Sequence, residues 1–274
     1  MNALIKSPPQ ACQGVGVFDS GVGGLTVLRA LRNTLPHESF IYVGDTARAP
    51  YGGRSEETLL TYSREIVQFL IQQQVKTIVF ACGTCAATAY PVLVEEFPHI
   101  PFINVLRPGA LAITALIAKK PTLRVGFIAT EATIKRGTFK SLVHAINPNI
   151  HIAMRACPLF APMAEHGLFT GDIIRWAAEN YLGDWRGKID ILVLGCTHYP
   201  LLNEALAQVL PEVQQINLGE STAQALAEVL REKELCSMNT IPTHHFYISG
   251  EAKIFDALAT KILGEEVQGE VVGF

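Results

Sequence analysis

The sequence predicts an α/β fold built on mostly parallel sheet, and three observations predict it. Short β-branched runs recur along the 274 residues, each followed by a longer stretch with apolar residues three and four apart, as βα units require. Runs such as Thr77–Ala81 and Ile191–Leu194 are apolar throughout rather than alternating, which fits strands whose sheet is covered by helices on both faces. No long linker or low-complexity tract interrupts the alternation.

Strands are expected near residues 14–18, 40–43, 77–81, 101–105, 123–129, 150–156, 189–195, 214–218 and 244–248. Helices fill the intervals. The clearest is expected from Ser55 to Gln74: Ser55 caps it, Glu56 and Glu57 favour its positive end, and Leu59, Tyr62, Ile66, Phe69 and Leu70 make one apolar face. Another is expected from Ser221 to Leu235. Arg107-Pro108-Gly109 and Asn217-Leu218-Gly219 are the expected crossing points between domains, with a second domain inserted in the first. Parallel strands place ligands at their C-terminal ends.

Composition narrows the function. With 49% hydrophobic and 17% charged residues the chain can bury a large core, as one big domain or two modest ones. A net charge of -3 without any basic run gives no attraction for nucleic acid or an anionic membrane, so a small molecule is the expected partner. Met1 to Gln10 has no apolar core and does not read as a secretory signal, and the apolar stretch Gly109 to Ala118 is too short to span a bilayer. A cytoplasmic location is expected. There the six cysteines (12, 82, 85, 157, 196, 236) are free thiols, packed or chemically used.

Three segments carry candidate chemistry. In Val17-Phe18-Asp19-Ser20-Gly21-Val22-Gly23-Gly24 a strand runs into a glycine-rich turn that opens a helix at Leu25. Such turns often cradle phosphate, but Asp19 at the mouth repels it and no lysine offsets it. Asp19 suits an ammonium group or proton transfer; it equally suits a helix cap. The other two segments match: Phe80-Ala81-Cys82-Gly83-Thr84 and Leu194-Gly195-Cys196-Thr197-His198 each place a cysteine just beyond an apolar strand, where a helix N-terminus would lower the thiol pKa. Either cysteine alone reads as an inert core residue. As a pair in the two halves of the chain they suggest facing lobes with one thiol on each side of a cleft. Racemisation needs that geometry, because a proton taken from one face of a stereocentre is replaced from the other. Asp19 would then serve Cys82, and His198 would serve Cys196. Three rivals stay open: a redox site at Cys82-Gly83-Thr84-Cys85, a metal site, and a Cys196/His198 nucleophile.

At these residues the chain resembles the glutamate racemases. The resemblance is carried by Gly16 to Thr26, by Tyr42-Val43-Gly44-Asp45-Thr46-Ala47-Arg48-Ala49-Pro50-Tyr51-Gly52, by the Ala81 to Thr84 elbow and by Gly195-Cys196-Thr197-His198-Tyr199-Pro200-Leu201-Leu202. It implies a fold of two similar α/β lobes, each a mostly parallel sheet covered by helices, with the active site in the cleft between them. The expected N-terminal lobe is 1–107 plus 219–274, and the inserted lobe is 108–218. It implies Cys82 and Cys196 as the proton-transfer residues, assisted by Asp19 and His198, with Glu165 near the second thiol. Asp19, Ser20, Tyr51, Gly52, Gly83, Thr84, Thr130, Thr197 and His198 match substrate-binding positions. No pyridoxal phosphate, metal or nucleotide serves the chemistry of that family, and its product, D-glutamate, supplies bacterial peptidoglycan.

Two departures stand out. The family usually has asparagine where this chain has Gly83, and losing that amide costs on the order of 1–3 kcal/mol if a substrate group is left unpaired. Arg107 stands where an acid usually precedes the proline. A racemase of aspartate or another amino acid, or a binding paralogue with weak turnover, are therefore alternatives to a glutamate racemase. The sequence leaves a homodimer open.

Overall fold

The computed structural model describes residues 9–274, so most of the Met1 to Gln10 stretch falls outside the described residues. In chain order the first half reads β1 (Val15–Asp19), α1 (Leu25–Thr34), β2 (Phe40–Gly44), α2 (Glu56–Gln72), β3 (Thr77–Phe80), α3 (Gly83–Thr88), α4 (Tyr90–Glu96), β4 (Phe102–Asn104) and α5 (Leu106–Lys119). Then come β5 (Val125–Ala129), α6 (Glu131–Arg136), α7 (Thr138–Ile146), β6 (Ile152–Ala156), α8 (Phe160–Glu165), α9 (Asp172–Leu182) and β7 (Ile191–Leu194). The chain closes with α10 (Asn203–Val209), β8 (Gln214–Asn217), α11 (Leu218–Glu232), β9 (His244–Ile248), α12 (Ala252–Leu263) and β10 (Glu270–Val271).

The strands form two separate sheets, ordered β10-β9-β2-β1-β3-β4 and β6-β5-β7-β8. Every pairing is parallel. The fold class expected from the sequence is the one observed: two α/β lobes, each a parallel sheet under helices. Strands β1 and β3 are buried along their whole length, which is why their sequences carry no polar alternation. Among the described residues no helix is long and apolar enough to cross a membrane.

The nine expected strands are present, and a short exposed tenth, β10, joins the edge of the larger sheet. Ser55 caps α2 by accepting from Thr58 N at 3.2 Å. The buried face of α2 is rotated from the expected one: Leu59, Ser63, Ile66, Val67, Leu70 and Ile71 are buried, whereas Tyr62 and Phe69 are half-buried. Helix α11 starts at Leu218, three residues before the expected start, because Asn217 caps it through Gly219 N. Both expected crossing points are helix starts: Arg107 to Gly109 lie in the first turn of α5, and Pro108 is tolerated there because a first-turn N–H has no partner within the helix.

At the N-terminal ends of the first sheet's strands the buried polar groups are structural. Lys76 is fully buried against Glu38 at 2.5 Å and donates to the Ala11 and Leu235 carbonyls. The C-terminal ends are different. There β1 ends in Asp19, Cys82 follows β3 by two residues, Thr130 directly follows β5, and Cys196 follows β7 by two.

Candidate active site

Both sheets point their strand C-termini at one another, and the loops that leave them meet. Asp19, wholly buried, accepts from Gly21 N through Oδ2 and from Thr197 Oγ1 of the other lobe through Oδ1, each at 3.1 Å. Thr26 at the start of α1 donates to the Thr197 carbonyl at 2.9 Å. The hydroxyls of Thr84 and Thr130, one from each lobe, lie 2.9 Å apart, and Ala132 N donates to Gly52 O across the same seam at 3.3 Å.

The glycine-rich turn after β1 makes this approach feasible. A Cβ at Gly23 would lie 2.6 Å from both His198 Nδ1 and Thr197 Oγ1, and one at Gly21 would collide with the Glu165 carboxylate. Glycine is needed here for close contact between lobes, not to cradle phosphate. Tyr42 donates to Gly21 O at 2.6 Å and fixes the turn from below.

Cys82 is the N-cap of α3 and 4% exposed. Its thiol lies 3.7 Å from Ser20 Oγ. The pKa of Cys82 is held below the ordinary thiol value chiefly by the nearby Cys85 thiol, with further help from Cys85 N–H and Ser20, together outweighing burial and the charge of Asp19. Burial pushes the Cys85 thiol well up, so Cys85 stays a donor. Sequence reasoning saw Cys85 only as half of a redox motif; its position three residues after a helix-capping cysteine was the available signal.

Cys196 lies in different surroundings. The expected helix N-terminus is absent: Cys196 precedes a 3-10 turn, Tyr199–Leu202, whose N-cap is His198. Its partner is a side chain. Cys196 Sγ is 3.6 Å from His198 Nδ1, and His198 Nε2 is hydrogen-bonded to Glu165 Oε1, which also accepts from Val22 N at 3.1 Å. Burial would strip the imidazole of its proton, but the Glu165 carboxylate and the contact with Cys196 outweigh it and hold His198 well above its usual pKa. Asp19 is raised to about 6 because it is buried, against the attraction of His198.

Other expected site residues sit nearby in supporting positions. Tyr51 is buried with its hydroxyl donating to Asp45, and Asp45 also holds Arg48 Nε at 2.5 Å and accepts from Ser249 Oγ at 2.6 Å. That network fixes the 45–52 loop, whose Gly52 packs against Thr130. Asp45 and Arg48 belong to the segment from Tyr42 to Gly52 that carries the resemblance, but nothing in the sequence distinguished their part. Thr130 caps α6 through Thr133 N at 3.4 Å. Arg107 is exposed on α5.

Comparison with known proteins gives a consistent picture. A family model described as Asp/Glu/Hydantoin racemase matches residues 24–227. The glutamate racemase of Aquifex aeolicus is 38% identical over 257 residues, covering 94% of this chain and 96% of its own. The structure of a Francisella tularensis glutamate racemase in complex with D-glutamate superposes with a TM-score of 0.87 at 36% identity, covering 96% of this chain and 98% of its own. A Bacillus anthracis glutamate racemase superposes at 0.90 with 35% identity and the same coverage. The chain belongs to the Asp/Glu/Hydantoin racemase family, among its glutamate racemases.

Proposed function

We propose that this isomerase interconverts L- and D-glutamate at the α-carbon between its lobes, with Cys82 and Cys196 as the acid/base pair. The observation that carries the reading is the meeting of the two elbows: the residue after Cys82 abuts the residue before Cys196, and each thiol has its own polar partners. As thiolate, one sulfur removes the α-proton; as thiol, the other delivers a proton to the opposite face, and the next turnover in reverse exchanges their roles. Cys85 and Ser20 hold Cys82 towards thiolate. At Cys196 the neighbouring group is the His198 imidazole, 3.6 Å from the sulfur and hydrogen-bonded on its far side to Glu165. Asp19 orients Thr197 and shares this charge balance.

Substrate contact falls to the hydroxyl and backbone groups on the seam, Ser20, Gly52, Gly83, Thr84, Thr130 and Thr197, with Tyr51 acting through the loop it anchors. The lobes are taken as 1–107 with 219–274, and 108–218. Glutamate is favoured over aspartate by the named relatives, which are glutamate racemases. D-Glutamate would supply peptidoglycan, and the use of two free thiols suits a reducing cytoplasm, since oxidation of either would stop the chemistry.

In deuterium oxide the enzyme is expected to wash deuterium into the α-position of both enantiomers. Cys82→Ala and Cys196→Ala are each expected to cut racemisation by about a thousandfold or more. Racemisation that survives the loss of either thiol rules out the two-base assignment.

A further inference from the structure

In the proposed reaction Cys82 moves a proton, and nothing in that step calls for a second thiol on the same turn. Yet Cys82-Gly83-Thr84-Cys85 places two cysteines directly after a strand and at the opening of a helix, the order found in thiol redox sites. Cys82 is the N-cap of α3 and Cys85 its third residue, and the turn is closed by Ala86 N donating to the Cys82 carbonyl at 2.9 Å. Residues three apart on a helix hold their β-carbons about 5–6 Å from one another. A disulfide needs about 3.5–4.5 Å there, so a local shift on the order of 1 Å brings the two sulfurs to bonding distance. Of the other described cysteines, Cys157 and Cys196 follow strands of the second sheet, and Cys12 and Cys236 are exposed. Cys82 retains 4% exposure and Cys85 none, so a small oxidant meets Cys82 first.

We propose that Cys82 and Cys85 are a reversible oxidation site, in which Cys85 captures Cys82 as a disulfide once an oxidant has reached it and so spares the catalytic thiol from irreversible loss. The bond itself is independent of the racemase reading, but its effect on turnover rests on that reading. With hydrogen peroxide as oxidant, the Cys82 thiolate attacks one peroxide oxygen, the O–O bond breaks, and hydroxide leaves and takes up a proton as water. Cys82 is then a sulfenic acid. The Cys85 sulfur attacks the Cys82 sulfur, the S–O bond breaks, and a second water leaves with the Cys85 proton. Two thiols and one peroxide thus give one disulfide and two waters, the sulfurs losing the electron pair that the oxygens gain. Burial keeps Cys85 protonated beforehand, and the Cys82 sulfur beside it adds to this; oxidation of Cys82 removes that second influence and eases loss of the Cys85 proton. A disulfide at Cys82 leaves one face of the substrate without its base, so racemisation stops in both directions. A thiol reductant restores both thiols by exchange.

The test exposes the protein to hydrogen peroxide and follows, over time, the cysteine products by peptide mass mapping and the racemase activity before and after dithiothreitol. In the parent the main product at Cys82 is expected to be a bond to Cys85, seen as a peptide that holds both residues and has lost two hydrogens. Activity should fall about tenfold or more in step with that bond, and dithiothreitol should return most of it for as long as the same maps show Cys196 as a free thiol. Cys85→Ala and the near-isosteric Cys85→Ser are each measured against their own starting activity. In them Cys82 should pass on to sulfinic acid, and dithiothreitol should recover less than about a fifth of the loss. A parent protein in which Cys82 goes to sulfinic acid, bonds to Cys196 or stays a free thiol overturns the inference, as does equal recovery in the parent and the Cys85 variants. Cys82→Ala keeps the two readings apart: turnover without Cys82 defeats the two-thiol mechanism, whereas the mass maps of the parent decide the bond by themselves.

Discussion

The two elbows look alike in sequence and are built differently. Cys82 stands at the N-cap position of a true α-helix with small neutral groups around it, its thiol 3.7 Å from Ser20 Oγ and Cys85 lowering its pKa. Cys196 stands before a 3-10 turn and faces an ionisable row, His198 and then Glu165. On the proposed two-base reading both sulfurs act as acid and base in turn, with small neutral groups beside one of them and a buried histidine–carboxylate pair beside the other. Removing a donor on the first face should shift a titration, while removing the charge on the second should cost more and cost it at every pH.

His198→Asn makes the harshest comparison. It removes the charged neighbour of Cys196 and is expected to lower kcat/KM by about a hundredfold or more. Because the enantiomers are equal in energy, kcat/KM must fall equally in both directions. The asymmetry shows instead in the isotope effect, which should rise more for the enantiomer whose proton Cys196 removes.

Asp19 tests the seam between the elbows. Its folded pKa of about 6 lies above the unfolded value of 3.8, so its protonated form contributes stability that is fully present below pH 3.8 and is lost as the pH rises through 6. Urea unfolding should show the parent losing on the order of 3 kcal/mol relative to Asp19→Asn between pH 3.5 and pH 7. Equal pH dependence in the two proteins would refute the buried-carboxylate reading.

Cys85→Ala is the milder counterpart of the His198 change. Losing one donor to the thiolate is expected to lower kcat/KM at neutral pH about tenfold. It should also move the rising limb of the pH profile to higher pH, because the thiol of Cys82 then holds its proton more tightly. The isotope effect should rise for the enantiomer opposite to the one picked out by His198→Asn. Least affected of all should be Arg136→Gln, which breaks an exposed cross-lobe pair with Glu56 at 3.1 Å and is expected to change stability by less than about 1 kcal/mol, read from the same urea curves.

The fold was legible because the strands are buried on both faces and announce themselves as continuous apolar runs; Thr77–Phe80 and Ile191–Leu194 are the plainest. Strand β10 was not, since two exposed residues carry no pattern. Site legibility divided along the same line as the elbows. The cysteine, aspartate and histidine positions follow from where strands end, but the difference between an α-helix after Cys82 and a 3-10 turn after Cys196 lies in backbone geometry that the two strand–cysteine–turn patterns share. Four cysteines are buried, Cys82, Cys85, Cys157 and Cys196, so burial selects none of them. What separates them is the neighbouring polar groups, which come from distant parts of the chain: Ser20 for Cys82, and Glu165, through His198, for Cys196. The packing at Gly83 was hidden for the same reason, because the Gly195 carbonyl beside it is 112 residues away.

The most direct test of two opposed sulfurs is isotopic bookkeeping at early conversion. Pure L-glutamate is incubated in deuterium oxide with the enzyme, the reaction is stopped after a few per cent of turnover, and both enantiomers are examined by mass spectrometry. Two bases on opposite faces predict D-glutamate carrying solvent deuterium at the α-carbon while the recovered L-glutamate keeps its proton, and the mirror-image result from D-glutamate. D-Glutamate that retains the substrate's own proton would mean that a single base serves both faces, and would contradict the assignment of Cys82 and Cys196 as opposed acid and base.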